Sequence, residues 1–578
     1  MKRVKLIFVV FILFFVSGYA QFSKKKKAVG DVYLTPIQQS EYDFAEGMKE
    51  YLLENYIKAL LYFEKSITNN PNGAGTHYMI GQIYVKQGNL YKALEYIKKA
   101  VEINDSNKYY YLLLAQVYER KQDFNEAAKT YLNLINKVPN CQEYYYELAT
   151  INLIQGKNDE ALKNFDKFEK ATGISEELVR QKQQIYLKQG KLEEAIKEGK
   201  RLIAAYPDDP RSVLLLAELL LTNEKYAECE KILTELLAKN PDDPYAQLYM
   251  SDIYRNKGDE DKADKALEKV FKSEELSNDI KVNILINKIR QFSSETDQDR
   301  KEKLKYDCLN LSSILTVTHP KDSKSWAMNG DVLAICGKSN DALLSYLKAV
   351  SLDYSQYKVW QQVLTLDHEL NKTDSLKKHS EKSLEYFPNN AVFWFYNGLA
   401  YQLMQDYRRS ITSFEQGKKY TTGDKNMLVQ FCSMIGDCYN SLKEYKKSDD
   451  AFEEALKEDA NNHLVLNNYS YYLSLRNDKM DYAKKMSEKV VKEYPDNPTY
   501  LDTYAWILYM MKEYEKAKEI FEKIESKTNN GTIVEHYGDV LFKLGEKDKA
   551  VEQWKRAKAL GETSEWIDKK ISDRKIHE

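Results

Sequence analysis

The sequence predicts an all-α protein built as a stack of helix pairs, and three observations carry that prediction. Glycine and proline are scarce, 22 and 11 in 578 residues, far short of what a many-stranded protein with frequent turns requires. Small residues recur at a fixed spacing of 34. A second small residue follows each of them twelve positions later. With 43% hydrophobic and 30% charged residues, the chain is too apolar for disorder and too long for one core, which leaves several domains or a repeat array.

The register runs without insertion through Gly47, Gly81, Ala115, Ala149, Gln183, Ala217 and Ser251, with Gln183 the one bulky exception. Its partners are Ala59, Ala93, Ala127, Ala161, Ala195, Cys229 and Ala263. Gly or Ala in mid-helix lets a paired helix approach closely, and aromatic and Leu positions at helical spacing form the stripe buried against neighbours. Pro71, Pro139, Pro207 and Pro241 close units, because proline disfavours helical geometry in the residue before it. One pair cannot bury its apolar face alone, so stability arises by stacking.

These positions resemble the tetratricopeptide (TPR) family, whose pattern is a small residue in the first helix, an aromatic three later, Ala in the second helix, an aromatic four after that and a closing Pro. Ala115, Tyr118, Ala127, Tyr131 and Pro139 match it throughout, and Gly81, Tyr84 and Ala93 match it in the preceding repeat. The resemblance implies a right-handed α-solenoid of about fifteen helix-turn-helix repeats covering residues 40–564. Residues 40–277 form an N-terminal array. The register breaks over 278–322, where helix-like stretches Ile280–Phe292 and Lys301–Leu315 flank a polar segment, 293–299. That region reads as a degenerate repeat about eleven residues too long, acting either as a flexible joint or as a bulge in one continuous spiral. A C-terminal array follows over 323–564, with Gly330, Gly398, Gly436, Ser470, Ala505 and Gly538 as small residues and a four-residue insertion before Gly436. Trp566, Ile567 and Ile571 share one face of a capping helix in 565–578.

The first twenty residues differ in kind. Lys2, Arg3 and Lys5 precede the apolar run Leu6–Val16, and Gly18 and Ala20 are small where a signal peptidase reads. We therefore expect a signal peptide, 1–20, cleaved before Gln21 to leave a net charge of about −5, and then a basic linker, 21–39. The alternative is a retained N-terminal membrane anchor. The Lys24–Lys27 run would give a peripheral membrane tether about 1 kcal/mol per Lys if it lay at an anionic surface. Export with only six Cys argues against a disulfide scaffold. Cys229 occupies a small core position, Cys432 and Cys438 cannot reach each other along one helix, and Cys308 and Cys336 could pair.

Catalytic motifs do not emerge. Gly337, Lys338 and Ser339 echo a phosphate loop, but Val332 stands where its first Gly belongs, and the place fits an inter-helix turn. The seven His show no metal-ligand spacing and are expected at the surface, so neither cofactor nor metal is implied. A formal charge of −2 with interleaved Lys, Arg, Asp and Glu disfavours nucleic acid as a partner.

The TPR resemblance places ligands in a concave groove lined by the first helices. Projected onto this chain, the candidate protein-binding residues are Tyr78, Tyr109, Arg120, Tyr146, Arg180, Arg211, Tyr245 and Arg255, then Phe395, Tyr471, Asp502, Trp506 and Tyr509. Tyr, Trp and Arg are the residue types enriched at binding hot spots, though about half of these aromatics are expected to pack between helices instead. Phe44, Met48, Met79 and Tyr109 stand where chaperone-binding members carry a Lys and Asn carboxylate clamp, so an acidic C-terminal tail is not the expected ligand in the first three repeats. The stretch Tyr500–Tyr509 resembles a segment of bacterial envelope repeat proteins. The expected function is a non-enzymatic scaffold or adaptor, periplasmic or otherwise envelope-associated, holding a protein or peptide. The alternative is a carbohydrate-binding or glycan-processing protein using the aromatic groove, with Asp502, Trp506 and Tyr509 as its cluster. Oligomeric state is not legible.

Overall fold

The computed structural model describes residues 34–577. The signal peptide, the cleavage point before Gln21 and the Lys24–Lys27 run lie outside the described residues. The described chain is α-helical in tandem pairs, with two short 3-10 turns and no strand among the described residues. It divides into two compact units, Met1–Pro241 and Asp242–Glu578. The segment 278–322 lies within the second unit, as does the repeat centred on Ser251.

The first unit opens at Thr35, whose hydroxyl accepts from the Gln38 N–H while the Gln38 side chain accepts from the Thr35 N–H, satisfying two donors that a helix start leaves orphaned. Helix Pro36–Leu52 then pairs with Tyr56–Asn69, Ala74–Lys86 with Leu90–Ile103, and Lys108–Arg120 with Phe124–Lys137. The turn inside each pair contains one residue with positive φ, at 54, 88, 122, 156, 190, 224 and 258 across both units. Four of these are Gly, but Glu54, Gln122 and Glu224 hold the same left-handed geometry, at φ of 61°, 59° and 58°, without glycine's freedom.

Close approach within a pair follows one rule. A Cβ added at Gly47, Gly330, Gly398, Gly436 or Gly538 would come nearer than 3.0 Å to Phe63, Tyr346, Phe414, Phe452 or Trp554, in each case the residue sixteen positions later. All five of those rings are buried. Gln183 breaks the pattern and shows how it is repaired. The residue sixteen later is Gly199, and a Cβ there would stand 3.1 Å from Gln183 Nε2 and 2.9 Å from Leu216. Large and small have exchanged helices, and the Gln183 amide is satisfied by donating to the Ala195 carbonyl at 3.1 Å.

The second unit absorbs its extra residues by lengthening helices. Asn278–Ser294 and Gln298–Thr318 run 17 and 21 residues, against 13 or 14 for most others. The polar segment shrinks to residues 295–297, because Asp297 caps the next helix by accepting from Arg300 N at 2.9 Å. The insertion before Gly436 likewise enters helix Lys425–Ser441. Buried Asn329 donates to Ser312 and accepts from Ser345, and 68 residues later Asn397 donates to Ser380 and accepts from Ser413, so one amide clips three helices twice over. The turn at Gly337 (φ 76°) precedes helix Ser339–Leu352, as expected of an inter-helix turn. The last helix, Ile567–Asp573, buries Ile567.

All six cysteines are free, Cys308 and Cys336 included, and Cys229 is fully buried in its core position. Surface placement of the histidines is overturned. His536 and His77 are buried, and His379 Nδ1 lies 2.6 Å from the fully buried Asp367 carboxylate. In each case a buried polar partner, such as the Pro71 carbonyl for His77, compensates the loss of water.

Candidate binding face on the first helices

In the first unit the projected residues fall into two groups. Tyr78 is half-buried, packed against Tyr110 with ring centroids 5.0 Å apart, and its hydroxyl accepts from Gln82 Nε2 at 2.7 Å. Tyr146 packs between Phe165 and Phe168, both at 5.4 Å. These two are largely structural. Tyr109 is 58% exposed, and Arg120 is exposed at its helix end. Arg180 is tied to Glu176 on its own helix and to Glu218 on the next first helix, and Arg211 folds back onto its helix cap, Asp209.

The same helices hold a charge that sequence reading passed over. Lys182 is fully buried, and its ammonium lies 2.7 Å from Asp166 and 3.0 Å from both Glu169 and Glu198. Burial pushes its pKa down, but the three carboxylates more than reverse this and hold it above the ordinary lysine value. Arg201 closes the network against Glu169 and Glu198. The signal was phase: Lys182 stands one residue before the small position, where other repeats bury Ile80, Leu114, Leu148, Leu216 and Met250.

In the second unit Tyr245 is 40% exposed and Arg255 pairs with Asp252 at 3.2 Å. Phe395 is half-buried among Tyr396, Phe414 and Phe431, with centroids near 6 Å. Asp502, Trp506 and Tyr509 are brought together. Trp506 stacks on Tyr509 at 4.7 Å and on His536 at 4.0 Å, while Asp502 lies 2.9 Å from His536 Nδ1. Tyr509 is buried, whereas Trp506 and Tyr471 keep partial exposure. Desolvation works against protonation of His536, but Asp502, with Asp539 and Glu535 beyond it, raises its pKa above the usual value. Asp539 accepts from Trp554 Nε1 at 2.9 Å and pairs with Lys570 at 2.7 Å, and Lys570 also reaches Glu535 at 2.8 Å. The capping helix thus neutralises the acids of the last first helix.

Charge is segregated along this unit. Four successive first helices, Ala391–Leu403, Lys425–Ser441, His463–Leu475 and Pro498–Met510, contain a single Lys or Arg, Lys425 at a helix start. Their carboxylates are Asp437 and Asp502. Asp437 was missed in the sequence, and it differs from its neighbours. It follows the small residue Gly436, its Oδ1 is buried without a hydrogen-bond partner among the described residues, and its pKa is pushed up to about 7 by burial, against the lowering effect of Tyr472 and Asn468. Gln402 Oε1 and Asn467 Oδ1, on the helices before and after, are buried acceptors in the same condition.

Fold and register define a tandem helix-pair repeat protein whose first helices carry a largely charge-free polar and aromatic face. Tetratricopeptide-repeat models match residues 74–107, 112–173, 186–253, and 248–275 with 429–462. Together with the 34-residue register, these matches place the chain in the tetratricopeptide-repeat family. It is similar to a TPR repeat-containing protein of Methanocaldococcus jannaschii, 24% identical over 287 residues, covering 41% of this chain and 50% of that one. The chain thus spans about half the length of that curated relative. Among solved structures it is similar to the Cut9-Hcn1 hetero-tetramer of the APC/C, with 12% identity, 93% of this chain, 98% of that chain and a TM-score of 0.37. It is also similar to yeast Tom70, with 15% identity, 93% and 94% coverage and a TM-score of 0.32.

Proposed function

We propose that the chain is a non-enzymatic protein-binding scaffold or adaptor of a bacterial cell envelope, holding a peptide or protein along its first-helix face. The observation that carries the reading is the segregation of charge in the second unit. Second helices such as Tyr514–Ile524 are dense in Lys and Glu and suit water, whereas the first helices from Ala391 to Met510 expose half-buried rings and amides with scarcely any charge. A face of that composition suits the desolvated centre of a protein interface, which is depleted in charge and rich in aromatics. Export is proposed from the N-terminal sequence, and the envelope setting from the Tyr500–Tyr509 resemblance.

The test is position-specific photocrosslinking in the native cell. A benzophenone amino acid at Tyr471, on the first-helix face, is expected to trap a discrete polypeptide. The same probe at exposed Lys523, on a second helix, is expected to trap none. Equal trapping from both positions, or none from Tyr471, overturns the reading.

A further inference from the structure

We infer that the second unit recognises an arginine side chain of an extended peptide partner, seated on the Asp437 carboxylate and flanked by Gln402, Asn467 and the Tyr471–Tyr472 pair. This deepens the scaffold reading and rests on it.

The argument begins with what each carboxylate on the first helices of this unit faces. Asp252 has Arg255, Asp331 accepts from the Tyr346 hydroxyl at 2.7 Å, Asp502 has His536, and Glu535 and Asp539 share Lys570. Asp437 has no cation: the groups acting on it are the Tyr472 hydroxyl and the Asn468 amide, and one of its oxygens accepts from nothing among the described residues. A buried carboxylate in that state is costly, and the fold could have removed it with an Asn. The residue keeps partial exposure, so the group is reachable from the first-helix face.

The neighbours set the chemistry of the occupant. Gln402 Oε1 and Asn467 Oδ1 are also buried acceptors without donors, on the first helices of the preceding and following repeats. Three successive repeats therefore offer acceptors, and the ligand must bring several N–H groups and a positive charge. Guanidinium meets both demands: it carries five donors in a planar fork that matches a carboxylate, loses water more readily than ammonium and lies well on aromatic rings. Tyr472 and Tyr471, with centroids 6.2 Å apart, supply those rings beside the carboxylate. The near absence of Lys and Arg from four first helices leaves no internal cation to compete and none to repel the guest.

The experiment uses the full chain and fluorescently labelled nonapeptide pools, randomised except at the central residue, which is Arg, citrulline, Lys or Glu. Citrulline keeps the shape of Arg without its charge. Wild type is expected to bind the Arg pool at least tenfold more tightly than the citrulline pool and to bind the Glu pool weakest. Asp437→Asn, nearly isosteric and checked for unchanged helicity, is expected to reduce the Arg preference below threefold. Trp506→Ala, one repeat away, is expected to weaken all pools while leaving that preference in place. Pools that bind wild type without regard to the central residue overturn this inference and leave the scaffold reading standing. A preference that survives in Asp437→Asn, or one for Lys equal to that for Arg, also overturns it. Absence of binding by every pool overturns this inference, while the crosslinking at Tyr471 decides the scaffold reading separately.

Discussion

The repeat around Gln183 and the repeat around Gly436 bury charge in opposite ways. In the first, Lys182 is wholly enclosed and three carboxylates from the flanking second helices converge on its ammonium. In the second, Asp437 is set deep in the first-helix face and no base approaches it. A buried ion is tolerated only when its lost hydration is replaced, so the first site is closed within the fold and the second is left open. The lesson is that the number of buried charges does not separate scaffold from site. What separates them is whether the fold itself supplies the counter-charge.

The comparison is most exposed at Lys182. Lys182→Met should leave Glu169 and Glu198 buried together with only the half-exposed Arg201 between them. The expected loss is about 3–5 kcal/mol, read as an early urea transition confined to the first unit by hydrogen exchange. A loss below about 1 kcal/mol would show that the acids rehydrate freely and that the two sites do not differ as described.

Next in size is the volume exchange in the same repeat. Gly199→Leu alone should cost about 2–3 kcal/mol, because its side chain meets Gln183 and Leu216. Gln183→Ala alone should open a cavity of similar cost. The double variant, which restores the arrangement of the other repeats, should recover at least half of the summed loss. Strict additivity in urea melts would mean that positions sixteen apart are not coupled.

Asp437 gives a comparable effect with a pH signature. Its pKa is raised in the fold to about 7 from an ordinary 3.8, so the folded state is unpenalised below pH 4, where both states are protonated. The penalty grows between pH 4 and 7 and is complete above 7. Asp437→Asn should therefore stabilise the second unit by on the order of 2 kcal/mol at pH 8 and by nothing at pH 4. Hydrogen exchange of helix Lys425–Ser441 at the two pH values measures this, and a pH-independent difference would place the carboxylate in water.

The smallest expected effect is at the turns. Gln122→Gly should stabilise the first unit by about 0.5–1 kcal/mol, since Gln122 holds a left-handed φ of 59° that glycine adopts freely. A destabilisation would mean that the Gln side chain makes up for its strain.

Much of the fold was legible in the sequence because close helix approach demands a small residue at one place in each pair, and that demand repeats. The helices flanking 293–299 were legible for the same reason, although the insertion between them proved to be helix rather than loop. What escaped was compensation between helices. Gln183 looked like a lapse because its partner, Gly199, lies in the other helix of the pair. Lys182 looked like one more surface lysine in a lysine-rich chain, although its phase beside Gln183 matched buried Ile80 and Leu114. At the candidate face, residue type found the Asp502, Trp506 and Tyr509 cluster but not His536, because the histidines were read as surface residues. Asp437 escaped because a lone acid among many carries no signal until its surroundings are known to lack a base.

The sixteen-residue complementarity also bears on how such a chain diversifies. Where Gly398 faces Phe414 and Gly436 faces Phe452, both halves of the fit lie inside one helix pair, so a pair can be duplicated or moved as a cassette with its interior intact. The same holds for Gln183 with Gly199, but only if both travel together. A crossover falling between residues 183 and 199 would unite two bulky residues or two small ones. Recombination breakpoints in this chain's lineage should therefore avoid the interior of a pair and fall in the loops between pairs.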